Sequence, residues 1–558
     1  MRTKKGLIVV LIVVLSVTVF AVNFPLEEIT PGLIGIGKTV FEGTKVEDFP
    51  IEVLGLVPNG GIDYVLIKVG GRALELGGVA EGMSGSPIYI EGKLLGAISY
   101  GFNDYDHAYC LVTPIEKMEE MLSYPQESLF VEPLNKDLEL RDVNTPLVFN
   151  GLGERSRGYL EKQLGYKLSK ASVLGRTQDV AKLEPGSSLS VELVTGDVTV
   201  GSFGTLTNIY EDGSLLAFGH SLLNKGNTVY LAGTSTVHAV VKGQPNTFKL
   251  ASFGEEIGMI TQDRKAGIAG KVGQVPVMIP VKTKVNDFDL KRTVETKAEV
   301  VPDNMLLGKL AISTVLEGFD RGIDRVGSGT SKVKFSIKGK GLPYTLEREN
   351  YFYSYADVSA LSLSELAEVL DLILFNDYYN VDLTEIVVEA NFTEARNTAV
   401  ITNALPKKKM VNPGDEVEVF VQIRPFRGEA ETVKVKLPIP KEALPGKVHV
   451  IVRPGISISS FDSESVNVTE KLELHSDERK GTPISQEAKD WEKLLKDFLN
   501  REKNNEIVVE FYPPYEDNLD NDLELTDPSL PVQVRVATDY VMEGDFSFEL
   551  EIISEEEN

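Results

Sequence analysis

The residue of this chain best set up to act as a nucleophile is Ser84, which stands in Gly82-Met83-Ser84-Gly85-Ser86-Pro87. Glycines on both sides let the backbone turn tightly and bring N–H groups up to an oxyanion with no Cβ in the way. The residues that follow, 88–90 and 94–99, alternate as a hairpin turning at Glu91-Gly92, a rigid wall behind the serine. A tight turn bearing a solvated serine reads the same way, so the pattern needs a second group beside it.

That group is a base, because a serine hydroxyl is too weakly acidic at neutral pH to react unaided. Five histidines are present. His449 falls in a strand and His475 in a charged loop, both remote in sequence from the serine. His107 follows the hairpin in a polar loop, and His238 lies on an alternating stretch that points it outward. His220 ends Ser214-Leu-Leu-Ala-Phe-Gly-His, a strand terminating at glycine, which sets an imidazole at a rim. Cys110 lies three residues after His107, but nothing nearby would activate a thiol, and it reads as a half-buried cysteine. No His, Asp or Glu cluster has metal-ligand spacing, and no cofactor is expected. The acidic run Glu516, Asp517, Asp520, Asp522, Glu524 and Asp527 lacks the ordered spacing and central glycine of a calcium loop, and reads as solvated.

A chain of 558 residues is too long for one core and predicts two to four domains. Lys and Arg number 57 against 83 Asp and Glu, a formal charge of −26, which argues against nucleic acid and anionic membranes as partners. Arg2, Lys4 and Lys5 precede an apolar run over 7–22 that ends near Val19-Phe20-Ala21, the pattern of a secretory signal peptide. An uncleaved signal anchor gives the same topology. Either places the rest outside the cytoplasm, in the periplasm, in the cell envelope or secreted. One cysteine excludes an intrachain disulfide, so cores alone must hold the fold.

Strand-like runs at 51–56, 64–69, 87–90 and 94–100, closed by a helix near 114–122, make residues 24–125 a β-rich unit. Residues 126–190 read as a connecting segment with a helix near 155–164. Strands return over 191–345. A helical linker is expected over 346–378, where Ser362 and Glu365 form a capping box and Leu366, Val369, Leu370, Ile373 and Leu374 share a face. Alternation at Val417, Val419, Val421 and Ile423, then Val433, Val435 and Leu437, predicts an immunoglobulin-like β-sandwich over 380–455. Residues 456–558 read as a small α+β region.

Two segments resemble one family. Gly77-Gly-Val-Ala-Glu-Gly-Met-Ser-Gly-Ser-Pro87 is similar to the serine motif of the SpoIVB-type serine peptidases (family S55), and Gly204-Thr-Leu-Thr-Asn-Ile-Tyr-Glu-Asp-Gly-Ser-Leu-Leu-Ala-Phe-Gly-His220 to their histidine motif. Lys45-Val-Glu-Asp-Phe-Pro-Ile-Glu-Val53 and Ile257-Gly-Met-Ile-Thr-Gln-Asp-Arg-Lys-Ala-Gly-Ile-Ala-Gly270 support the match. The resemblance implies a mainly β, chymotrypsin-like double β-barrel, with Ser84 as nucleophile and His220 as general base. The two halves stand in the reverse of the family's order, which triad chemistry tolerates because geometry defines it. Where the family's acid is expected, this chain reads Lys68-Val-Gly-Gly-Arg-Ala. Asp263 is then the first candidate to orient the histidine, ahead of Asp63 and Asp212.

The mechanism implied is endopeptidase attack by Ser84 on a protein or peptide substrate laid along a barrel edge. Backbone N–H groups of Gly82 and Ser84 would hold the oxyanion, and Met83 would line the approach. The C-terminal β domains would recruit an envelope-associated partner. The competing expectation is a catalytically degenerate S55-like domain that binds or scaffolds outside the cytoplasm.

Overall fold

The computed structural model describes residues 23–102, 107–125, 141–142, 146–170, 175–177, 182–243, 247–455, 484–513 and 531–553. The expected signal segment, His475 and the acidic run of 516–527 lie outside them. Compact clustering divides the chain into two units: residues 1–148, 171–191 and 202–275 form the first, and 149–170, 192–201 and 276–558 the second. Among the described residues no helix is long and apolar enough to cross a membrane.

The first unit is built on β-strands β1 (Ile34–Val40), β2 (Val46–Asn59), β3 (Ile62–Val69), β4 (Pro87–Ile90), β5 (Lys93–Gly101) and β6 (Tyr109–Pro114). They run in the order β4-β1-β2-β3-β6-β5, and a further β4–β5 pairing closes the ring into a six-stranded barrel. Closure removes the exposed edges that an open sheet of this length would leave. The expected hairpin forms: Ile90 pairs with Lys93, and Glu91 and Gly92 take φ of 53° and 77°, the two left-handed residues of a type I′ turn. Alternating side chains Phe49, Ile51, Val53, Val65, Ile67, Val69, Ile88 and Ile98 fill the interior. Cys110 and Met83 belong to the same core, fully buried. The expectation of a half-buried Cys110 and of Met83 lining an approach is therefore corrected, since both side chains point inward. Helix Ile115–Glu119 follows β6, as expected.

The second half of this unit is an antiparallel half-barrel of β7 (Thr199–Ile209), β8 (Ser214–Ala217), β9 (Gly226–Val241), β10 (Phe248–Arg264) and β11 (Gly267–Val272), in the order β9-β10-β11-β8-β7. Together they give the mainly β, chymotrypsin-like class expected, with one barrel closed and the other partial.

In the second unit, Ile279–Asp287 pairs antiparallel with Arg292–Val300 and parallel with Asp382–Thr393. Helix Asn304–Ile323 packs on the first pair, its N-terminus capped by the Asp303 side chain on Met305 N at 3.1 Å. The helix Ser364–Leu374 buries the expected face. The expected capping box does not form. Glu365 instead takes Arg348 at 2.7 and 2.9 Å and Asn350 at 2.8 Å, while the Ser362 hydroxyl donates to Val358 O at 2.6 Å. The segment expected as a helical linker also begins with a strand, Leu346–Ser354, paired with Gly329–Lys340. Its inward residues, Leu346, Arg348, Asn350 and Phe352, alternate, but two of them are polar and hide the apolar period.

A two-sheet sandwich completes the unit. One sheet contains Thr398–Pro406, Glu416–Pro425, Glu431–Pro438 and Val541–Glu543, and the other Gly446–Pro454, Glu506–Phe511, Val532–Ala537 and Phe546–Ile552. Val417, Val419, Val421 and Ile423 share its core with Val509, Phe511 and Leu550. The core thus draws strands from both sides of the 455/456 division, and Asp382–Thr393 pairs outside it.

Candidate active site

Ser84 sits in the turn that enters β4, where Gly82 and Gly85 both take φ of +90°. The turn binds itself and its surroundings through its backbone: Met83 N donates to Ala80 O at 2.9 Å, Ser86 N to Met83 O at 2.9 Å and Gly85 N to Ile98 O at 2.8 Å. Thr205 N of β7 donates to Ser84 O at 2.8 Å, and Thr207 Oγ1 to Gly85 O at 2.8 Å. Glycine is required at 85 by contact as well as by φ. A Cβ there would lie 2.0 Å from Thr205 O and 2.4 Å from Phe218 N.

His220 follows β8 through two left-handed residues, Phe218 and Gly219, each at φ 68°. A phenylalanine in that region is strained by about 1–3 kcal/mol, and the surroundings must hold it there. They do so on three sides. Phe218 N donates to Thr205 O at 3.3 Å, the Thr113 hydroxyl donates to Gly219 O at 2.6 Å, and the Phe218 ring occupies the space a Cβ on Gly204 would need. This local geometry turns the imidazole out of the strand line toward the serine turn.

The structure brings Ser84 and His220 together. Ser84 Oγ lies 2.8 Å from His220 Nε2, across 136 residues of sequence. His220 Nδ1 lies 2.6 Å from the backbone oxygen of Ser221. A carbonyl oxygen only accepts, so Nδ1 carries the proton and Nε2 presents its lone pair to the serine hydroxyl. The rings of Tyr100 and Phe218 stand 5.9 and 6.3 Å from the imidazole. Both reacting groups are enclosed, Ser84 at 0% and His220 at 1% exposure.

Asp263 is not on the ring. Its carboxylate accepts from Leu222 N at 2.7 Å, Leu223 N at 2.8 Å and the Tyr230 hydroxyl at 3.2 Å. It grips the loop that supplies the Ser221 carbonyl, and one of the N–H groups it takes, that of Leu222, belongs to the same peptide as that carbonyl. Burial pushes its carboxyl pKa up, against hydrogen bonds from Leu223, Leu222, Lys225 and Tyr230 that pull it down. Asp212 instead caps a turn through Ser214 N at 3.0 Å and its hydroxyl at 2.8 Å, and Asp63 is exposed on β3. Neither carboxylate hydrogen-bonds to the His220 ring.

The remaining described histidines are elsewhere. His238 Nε2 lies 2.8 Å from Ser252 Oγ, and His449 is an exposed strand residue 3.9 Å from Glu549. His107 serves through its backbone oxygen, which accepts from Val79 N. Burial raises the Cys110 thiol far above its ordinary range, which makes it inert. Among the described residues no group of three or more His, Cys, Asp or Glu is placed to hold a metal.

Sequence reasoning missed Lys249, a buried lysine against the serine turn, and the hydroxyls of Thr39 and Thr205 that meet it. One signal was available: Lys249 shares the inward parity of Ala251 on β10, while Phe248 and Leu250 are half-buried on the other face.

Residues 21–118 match the family model described as SpoIVB peptidase S55. No curated protein and no solved structure gives a match.

Proposed function

We propose, for a chain whose residues 21–118 match the SpoIVB peptidase S55 family model, an exported serine endopeptidase with Ser84 as nucleophile and His220 as general base. The observation that carries this reading is the 2.8 Å contact between His220 Nε2 and Ser84 Oγ, with the tautomer set by Ser221 O. As Oγ attacks a peptide carbonyl, its proton passes to Nε2. The same proton then goes to the departing amine, and water completes the cycle by the reverse route. The N–H groups of Gly82 and Ser84, two residues apart in the turn, would meet the oxyanion.

A backbone carbonyl steadies the imidazolium less than a carboxylate does. Loss of the aspartate in a serine triad costs about 10⁴-fold, much of it through the wrong tautomer. Here the tautomer is correct, and Asp263 holds the loop that sets it. We assign Asp263 a positioning role. Export rests on the basic and apolar pattern of the first 22 residues. The substrate class is a protein segment, and the sandwich is a candidate surface for an envelope-associated partner.

The enclosure of both reacting groups favours a second reading, a scaffold or binding protein with a disused site. In the peptidase reading the same enclosure means that a substrate must first displace the cover over the dyad. A fluorophosphonate probe separates the two. Wild type should be labelled at Ser84, with Ser84→Ala and His220→Ala blank. An unlabelled wild type beside a reactive control protease would establish the scaffold reading.

A further inference from the structure

Behind the serine turn lies a cation that the Ser84–His220 pair does not use. Lys249 is 3% exposed, and its Nζ donates to Thr39 Oγ1 at 2.8 Å and to Thr205 Oγ1 at 3.5 Å. Both hydroxyls lead back to the turn. Thr205 Oγ1 donates to Gly82 O at 3.0 Å, and Ser86 Oγ donates to Thr39 Oγ1 at 3.1 Å and to Thr205 Oγ1 at 3.5 Å. Lys249 N also donates to Glu81 O at 2.9 Å, and a Cβ on Gly82 would touch the lysine stem at 3.2 to 3.4 Å. Backbone, stem and head of one residue all bear on the segment that carries the nucleophile.

We propose that Lys249 is a positioning residue for the nucleophile: through Thr205 and Thr39 it fixes the Gly82 carbonyl and the Ser86 hydroxyl, and thereby the N–H groups of Gly82 and Ser84 that face the oxyanion. The proposal rests on Ser84 acting as nucleophile. A buried amine is a costly way to fill space that methionine would fill without a polar head, so its hydrogen bonds are its reason to be there. Two hydroxyls meet it, Thr39 from β1 and Thr205 from β7, and Ser86 in the turn bonds to both of them. The charged neighbours on those elements, Lys38 and Glu81, form no ion pair with it. Burial lowers its pKa from 10.5 to about 7. Its charge therefore changes near neutral pH. The ammonium polarises the Thr205 hydroxyl and tightens its bond to Gly82 O, and the neutral amine relaxes it.

The test uses the full chain carrying His220→Ala, so that the imidazole does not titrate, with ¹³Cε-lysine and ¹⁵N labelling. The Lys249 signal, assigned by its loss in Lys249→Met, should titrate near pH 7, and the Gly82 and Ser84 amides should shift with the same midpoint. Thr205→Val should keep the lysine titration and lose its echo at Gly82. With His220 restored, Lys249→Met should react with the fluorophosphonate at least about tenfold more slowly than wild type. Amides indifferent to the lysine's charge would overturn the proposal. So would wild-type labelling rates in both variants alongside lowered melting temperatures, which would leave Lys249 a structural residue. A wild type that resists the probe sinks the peptidase reading and with it the catalytic purpose of Lys249, while the spectra still judge its coupling to the Gly82 and Ser84 amides without any reaction.

Discussion

The side chains that hold the turn carrying Ser84 meet its carbonyls, and the side chain that holds the loop carrying His220 meets its N–H groups. On the serine side, Thr205 and Thr207 hold the carbonyls of Gly82 and Gly85, and Lys249 stands behind the first of these hydroxyls. On the histidine side, a buried carboxylate takes the N–H groups of Leu222 and Leu223, and left-handed Phe218 and Gly219 set the direction of the ring. The difference lies in which backbone groups the side chains take. On the serine side the hydroxyl side chains take carbonyls, beside the backbone bonds that Met83, Gly85 and Ser86 donate. On the histidine side the Asp263 carboxylate takes the N–H groups after the ring, and the Ser221 carbonyl goes to Nδ1.

Substitutions aimed at one side or the other test this division. The largest effect is expected from Gly85→Ala, where the new Cβ would fall within 2.0 Å of Thr205 O. The turn must leave β7, and we expect loss of fluorophosphonate labelling with destabilisation of about 3 kcal/mol or more in a denaturant titration.

Next comes Asp263→Ala, which orphans the buried N–H of Leu222, worth about 1–3 kcal/mol, and the part-buried one of Leu223. Labelling should slow by about 10²-fold as the Ser221 carbonyl loses its place, while the Gly82 and Gly85 amide shifts stay put. Moved amides on the serine side would show that the two anchors are one.

Lys249→Met probes the serine side through pH. The unfolded lysine keeps its proton to about 10.5 and the folded one only to about 7. Between those values the unfolded state binds more protons, so wild-type stability should rise with pH relative to the variant. The slope difference approaches about 1.4 kcal/mol per pH unit, read from denaturant midpoints at pH 7 to 10. A parallel pair of curves would show that the lysine titrates normally.

The smallest effect belongs to Cys110→Ala, in the barrel core but in neither anchor. Labelling should stay within about twofold of wild type, and the native thiol should ignore disulfide reagents until the protein unfolds.

Much of the fold was legible where the determinants are local. The hairpin at Glu91-Gly92 announced itself by its turn residues, and the helix face from Leu366 to Leu374 by its period. The Val417–Ile423 alternation marked one sheet of the sandwich, but its partners across the core lie as far on as Leu550, and nothing in the strand's own residues names them. Glu365 looked like half of a capping box, and Arg348 took it, since a buried guanidinium needs a carboxylate more than a helix end does.

At the site, sequence alone determined that Ser84 would sit on a glycine turn and His220 at the end of a strand, because turn geometry and strand parity are written in adjacent residues. Only the tertiary structure decided what holds them. That Nδ1 meets Ser221 O while Asp263 grips that same peptide and the next, and that Lys249 backs the serine turn, depends on which segments pack together. Burial then makes each polar group take the nearest partner with the right donors, however distant that partner is along the chain.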